Sequence, residues 1–177
     1  MTSAMEQLYQ QVILDHAKYP HGRGLSADVG ATPGLAVGQS HQVNPTCGDE
    51  VTLRVEIDSV PGGAAGMLRT VTWEGQGCSI SQASISVLTD LVTGIELTEV
   101  DRISESFRAL MHARGAGLDD EQEDALGDAT AFTGVAKYPA RIKCALLGWA
   151  ALRDAIARSG AGVPVTPSAT TSNEEQP

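Results

Sequence analysis

Apolar positions recur at three- and four-residue steps between residues 4 and 18. Met5, Leu8, Tyr9, Val12, Ile13 and His16 share one face, while Glu6, Gln10 and Asp15 take the other. That period predicts an amphipathic helix, stopped by Pro20 and the glycines at 22 and 24. Residues 22–40 are Gly-rich and show little periodicity, and read as a loop running into a short strand over 36–43. The period then changes to two. Val51, Leu53, Val55 and Ile57 alternate with Thr52, Arg54, Glu56 and Asp58, the signature of a strand with one buried face. PGGAAG at 61–66 makes a loop, and residues 67–73 are β-compatible with Met67, Val71 and Trp73 on one side. These stretches predict a small antiparallel sheet of about three strands, covered on one face.

Helical spacing returns after residue 78, with a stripe of Ile80, Ala83, Ser84, Val87, Leu88 and Leu91 that ends at Gly94. A further helix begins near Thr98, with Asp101 as its capping-box partner and a buried face of Val100, Ile103, Phe107, Leu110 and Met111. Residues 115–134 are polar, acidic and Gly-punctuated, with one short helix around 120–126. The last element runs from Pro139, well suited to a first helical turn, to about Arg158. Its stripe is Ile142, Leu146, Trp149, Leu152 and Ile156. Tyr9 and Trp149 fit these stripes as core residues. Helix, sheet, then helices is the order of an α+β domain. The expectation is one domain over 1–160 and a disordered polar tail over 161–177.

Composition narrows the function. The 177 residues carry 12 basic and 22 acidic side chains, a formal charge of -10. A field of that sign argues against nucleic acid or an anionic membrane as the main partner. With 42% hydrophobic but only 4% aromatic residues, the core must be largely aliphatic. No apolar run approaches the roughly 20 residues of a membrane span. The first residues, MTSAMEQLYQ, have neither a basic start nor an apolar signal core, so a cytoplasmic protein is expected.

The three cysteines, Cys47, Cys78 and Cys144, are 31 and 66 positions apart and include no CxxC pair. An odd count cannot be fully paired within one chain, and buried cysteines acting as small hydrophobes are the plain alternative to a site. Each cysteine, however, stands where an element begins or ends. Cys47 lies in the turn-rich NPTCGDE before the Val51 strand, with Asp49 two positions on. Cys78 lies in GQGCS at the mouth of a helix, and Cys144 lies in the first turns of the last helix, flanked by Arg141 and Lys143. Helix beginnings and nearby cations lower a thiol pKa. Three thiolates and one carboxylate make a reasonable tetrahedral set for Zn²⁺, with the two cations offsetting its surplus negative charge. Spacings this long do not by themselves establish that the four side chains meet. His16, His21 and His41 have no ligand-like mutual spacing and read as surface or packing residues, His41 with a second possible role as a neighbour of the site.

LYQQVILDHAKYPHGRG (8–24), NPTCGDEVTL (44–53), GQGCSISQAS (75–84) and YPARIKCALLGWAAL (138–152) together resemble the SUF-type U proteins of bacterial iron–sulfur cluster assembly, relatives of the NifU and IscU scaffold family. The resemblance spans roughly residues 5–158 and implies a sheet packed against helices. It implies one site of Cys47, Asp49, Cys78 and Cys144. IscU-like members carry His immediately before the third cysteine, where this chain has Lys143. The chain also has a longer stretch between Cys78 and Cys144 and no LPPVK-like segment, departures that favour the SUF branch.

The activity so implied is that of a zinc-dependent sulfur acceptor for a PLP-dependent cysteine desulfurase. Cys47 would take the persulfide sulfur after a partner ligand replaces it on zinc, and Asp49, Cys78 and Cys144 would keep the metal. Arg141 would hold the charge-rich site together or contact the partner, an ordinary exposed arginine being the other reading. The sulfur would pass to a downstream iron–sulfur scaffold or to apo-proteins. Two alternatives stand beside this one: a scaffold on which a [2Fe–2S] or [4Fe–4S] cluster is built and passed on, and a zinc-stabilised interaction protein.

Overall fold

The structure, a computed structural model, describes residues 3–27, 32–60 and 65–161. Its elements run α1 (Ala4–Lys18), β1 (Leu35–Val43), β2 (Glu50–Asp58), β3 (Met67–Gln76), α2 (Ser79–Val92), α3 (Leu97–His112), α4 (Asp120–Leu126), a 3-10 segment (Gly127–Lys137) and α5 (Pro139–Ser159). The three strands form one antiparallel sheet in the order β1-β2-β3. Helix α5 lies across β1 and β2, and α2 runs between α1 and α5. The fold is the expected α+β arrangement of a small sheet covered by helices.

Strand β2 follows its alternation without exception, since Val51, Leu53, Val55 and Ile57 are all fully buried. Strand β3 does not. Glu56 pairs with Thr70 but Ile57 pairs with Leu68, so Arg69 is an extra residue in the ladder. A bulge of this kind reverses which side chains face the core beyond it. Leu68 is therefore buried with Val71 and Trp73, while Met67, expected on that side, is 38% exposed.

The helices also depart from their stripes. Helix α1 starts with a capping box between Ser3 and Glu6, yet it buries only Ile13 and His16 and leaves Met5 and Leu8 exposed. Its inner contacts are chiefly with α2 and the 3-10 segment. Helix α2 buries Ser81, Ile85, Ser86, Thr89 and Val92 beside Ala83, Ser84, Val87 and Leu88 of the expected stripe, because it has helices on both sides, while Ile80 and Leu91 are half-buried. Its serines are satisfied within the core. Ser84 Oγ donates to the Ala145 carbonyl at 2.6 Å and accepts from Trp149 Nε1 at 3.1 Å. Helix α3 begins one residue earlier than expected, and its N-cap, Glu96, makes no side-chain capping bond, so the Thr98–Asp101 box does not form.

The stretch 115–134 is not merely polar. Helix α4 falls where the sequence placed it, but Ala129, Ala131, Phe132, Val135 and Ala136 in the following segment are buried. Phe132 meets Phe107 edge-on at 5.7 Å, and Phe107 stacks on Trp149 at 4.5 Å. The tail beyond residue 161 and positions 61–64 of the PGGAAG loop lie outside the described residues.

Candidate metal centre

An antiparallel sheet brings the β1–β2 turn and the far end of β3 to the same edge. The turn is residues 44–49. The Asn44 N–H donates to the Asp49 carbonyl at 2.8 Å, and the Gly48 N–H donates to the Asn44 carbonyl at 2.8 Å. Asn44 Oδ1 accepts from the Thr46 N–H at 3.1 Å, the local side-chain bond that makes Asn a turn residue. Gly48 closes the turn at a φ of 77°, a left-handed conformation that costs glycine little. The turn leaves Cys47 exposed and directs Asp49 inward, where it is 4% exposed.

Chain leaving β3 meets this carboxylate from the other side. Cys78 is the N-cap of α2, and its N–H donates to Asp49 Oδ1 at 3.2 Å. Gly77 makes the approach possible, because a Cβ there would lie 2.8 Å from Asp49 Cγ and 2.5 Å from Ser81 Oγ. Ser81 Oγ donates to the Cys78 carbonyl at 3.0 Å and accepts from the Cys78 thiol at 3.9 Å.

Cys144 comes down from the second turn of α5. It is buried, and its sulfur is 3.5 Å from that of Cys47. Two thiolates on one tetrahedral zinc, at about 2.3 Å each, stand roughly 3.8 Å apart. One ligand atom from each of Cys47, Asp49 and Cys144 falls within 4.8 Å of the other two. Cys78, turned to Ser81, lies beside this trio rather than within it.

Electrostatics follow from this crowding. Burial pushes the Cys144 thiol well above its ordinary value, helped by Cys47, the Cys78 charge and Asp49. The expectation that a helix beginning and flanking cations would lower it fails there, since desolvation of a thiolate outweighs a partial helix charge. Burial works to raise the Asp49 carboxyl too, but hydrogen bonding from Cys47, Ser81, Cys144 and Cys78 prevails and holds it below the usual range. Asp49 Oδ2 is a buried atom with no hydrogen-bond partner. An acceptor stripped of water and left unpaired is costly. A cation between it and the sulfurs would satisfy it. The donor set therefore fits a metal, and suits either zinc or an iron–sulfur cluster.

Arg141 and Lys143 are exposed on α5. The Arg141 guanidinium sits 5.3 Å from the Tyr138 ring, on the rim of a groove of about 880 Å³ lined also by Met5, Tyr9, Leu14 and Ile80. His41 stays on the exposed face of β1, with Nδ1 2.9 Å from Thr52 Oγ1, apart from the thiols. The other two histidines of that reading stand together, His16 buried and His21 exposed. His16 and His21, together with Asp90, bring ligand atoms within 4.8 Å of one another. Sequence reasoning also passed over Ser81 and Asn44. NPTC is a recognisable Asx-turn pattern, whereas nothing local marks Ser81 as the partner of Cys78.

Among the described residues, no helix is long and apolar enough to cross a membrane. Residues 8–158 match the family model for the NifU-like N terminal domain. The zinc-dependent sulfurtransferase SufU of Bacillus subtilis (strain 168) is 37% identical over 89% of this chain and 95% of its own length. The iron–sulfur cluster assembly scaffold protein IscU of Streptococcus pyogenes serotype M1 is 36% identical over 89% of this chain and 87% of its own. The crystal structure of FiSufU from Fervidobacterium islandicum AW-1 superposes with a TM-score of 0.64 at 29% identity, covering 85% of this chain and 98% of that one. A three-stranded sheet under helices, the cysteine-bearing turns at one sheet edge and these likenesses over nearly the whole chain converge: the protein belongs to the NifU/IscU/SufU-like family of iron–sulfur cluster assembly proteins.

Proposed function

We propose that this chain is a zinc-dependent sulfur acceptor, taking persulfide sulfur from a PLP-dependent cysteine desulfurase at Cys47 and passing it to an iron–sulfur scaffold or apo-protein. The observation that carries this reading is the unequal exposure of two adjacent sulfurs: Cys47 is open to a partner, while Cys144, 3.5 Å away, is buried with Asp49. Asp49, Cys78 and Cys144, with Cys47, would hold the metal. Zinc, when bound, keeps its thiolates deprotonated and adds no redox chemistry of its own. The Cys47 thiolate attacks the outer sulfur of the desulfurase persulfide. A new S–S bond forms on Cys47, the old one breaks, and the electron pair leaves with the desulfurase thiolate. No electron is gained or lost overall. The identity to a protein named a zinc-dependent sulfurtransferase supports the assignment.

The test is desulfurase turnover with the wild type and with Cys47→Ala, together with zinc content and intact-protein mass. The expected result is a gain of one sulfur on the wild type and none on the variant. Sulfur uptake that survives Cys47→Ala overturns the proposal. A second reading, a scaffold for a [2Fe–2S] or [4Fe–4S] cluster, is favoured by the similarity to proteins named as scaffolds in Streptococcus pyogenes and Thermotoga maritima and by the carboxylate in the donor set. It requires a transferable cluster after anaerobic reconstitution.

A further inference from the structure

We propose that His16, His21 and Asp90 form a second divalent-metal site, separate from the thiols, with Zn²⁺ as the ion its imidazoles and carboxylate suit; Asp128 lies 3.7 Å from His16, outside the trio. Asp90 stands near the end of α2, about three turns and roughly 18 Å from the cysteine at its beginning. The cluster therefore shares a helix with the thiol centre but none of its ligands.

His16 is buried on α1, and its Nδ1 is 2.8 Å from Ser86 Oγ, itself fully buried on α2. The same oxygen accepts the His21 N–H at 2.8 Å. In the tautomer whose Nδ1–H donates to Ser86, the Nε2 of His16 carries its lone pair and lies 3.7 Å from Asp128 Oδ2. This is the outer-shell bond by which proteins fix a ligating imidazole. His21 is held as firmly by its backbone. Its carbonyl accepts from Trp73 Nε1 at 2.8 Å, and the next carbonyl, of Gly22, accepts from the Trp73 N–H at 3.0 Å. Its ring stands 5.1 Å from that of His16 at an angle of 63°, and its Nδ1 is 2.6 Å from Asp90 Oδ2.

Among the described residues, histidines are the ion partners of Asp90 and Asp128 within 4.0 Å; no lysine or arginine neutralises either carboxylate. Two imidazoles and one carboxylate leave a divalent ion one positive charge, which the Asp128 carboxylate beside His16 would offset. Imidazole and carboxylate donors both bind zinc at about 2.0–2.2 Å. The half-exposed side chains of His21 and Asp90 are free to open the short distance from a shared proton to a shared ion. The opposite tautomer of His16, with Ser86 donating, would leave an ordinary hydrogen-bonded His–Asp set.

Zinc binding to the full chain separates the two. The wild type is expected to take up two equivalents at micromolar free Zn²⁺. His21→Ala and Asp90→Asn, both at exposed positions, should retain one. Cys144→Ser should retain the other. Adding Zn²⁺ to protein that already carries one equivalent at the thiols should shift the imidazole proton resonances of His16 and His21 and leave those of His41 and His112 in place. Ser86→Ala should weaken the second equivalent about 10–100-fold while sparing the first. A wild type that saturates at one equivalent overturns the site, and so does a second equivalent that survives His21→Ala with Asp90→Asn.

Discussion

The thiol centre has two unlike halves. Asp49 and Cys144 are 4% and 6% exposed, whereas Cys47 and Cys78 are both open to solvent. The buried pair is anchored on a strand entrance and inside α5. The open pair sits on a turn and at a helix cap. Neighbouring donors are therefore unlike: the inner two are shielded from solvent, and the outer two are open to it.

The comparison breaks most visibly by substitution. Cys144→Ser should remove nearly all zinc from the thiol centre, while Cys47→Ser should keep more of it and yet accept no sulfur. Metal analysis and persulfide mass on the same samples check this, and equal zinc loss from both would erase the distinction. Acidity comes next. Zinc must displace the proton of the raised Cys144 thiol, so affinity should rise about tenfold per pH unit for each proton released. Calorimetry in buffers of different ionisation enthalpy counts those protons.

In the metal-free protein the signs differ. The raised Cys144 thiol stabilises the fold below its unfolded pKa, and that contribution is lost as the pH rises through the folded value. The lowered Asp49 carboxyl contributes above the unfolded carboxyl pKa, and its share is lost as the pH falls. Denaturant midpoints across pH should show both edges.

Gly77→Ala crowds both halves, the Asp49 carboxylate of the inner one and the Ser81 hydroxyl that meets the outer Cys78 thiol. Its Cβ would meet the Asp49 carboxylate, and zinc should bind about tenfold more weakly, a loss comparable to disturbing a ligand's supporting shell. Thr98→Ala, which removes only a long exposed bond of 3.5 Å to Glu96, should move stability by no more than about 0.5 kcal/mol in a thermal melt.

Much of the fold was legible in the sequence because local backbone geometry imposes its own period. The alternation of 51–57, the α4 segment and the Pro139 helix start all emerged where expected. The three cysteine motifs marked one edge of the fold through a family resemblance, and the structure brings Cys47, Asp49 and Cys144 together with Cys78 alongside. The buried apolar face at 129–136 escaped notice because its 3-10 winding does not repeat at 3.6 residues. His21 and Asp90, 69 positions apart, carry no local sign of meeting.

By itself, the chain determined its element types and most of their limits, because those depend on residues a few positions apart. Tertiary structure alone decided which face of α1 is covered, that Leu68 replaces Met67 in the core, that Cys144 is a buried thiol with a raised pKa, and that two histidines share a neighbourhood. Burial and electrostatic environment are properties of remote segments in contact, and no window along the sequence contains both partners.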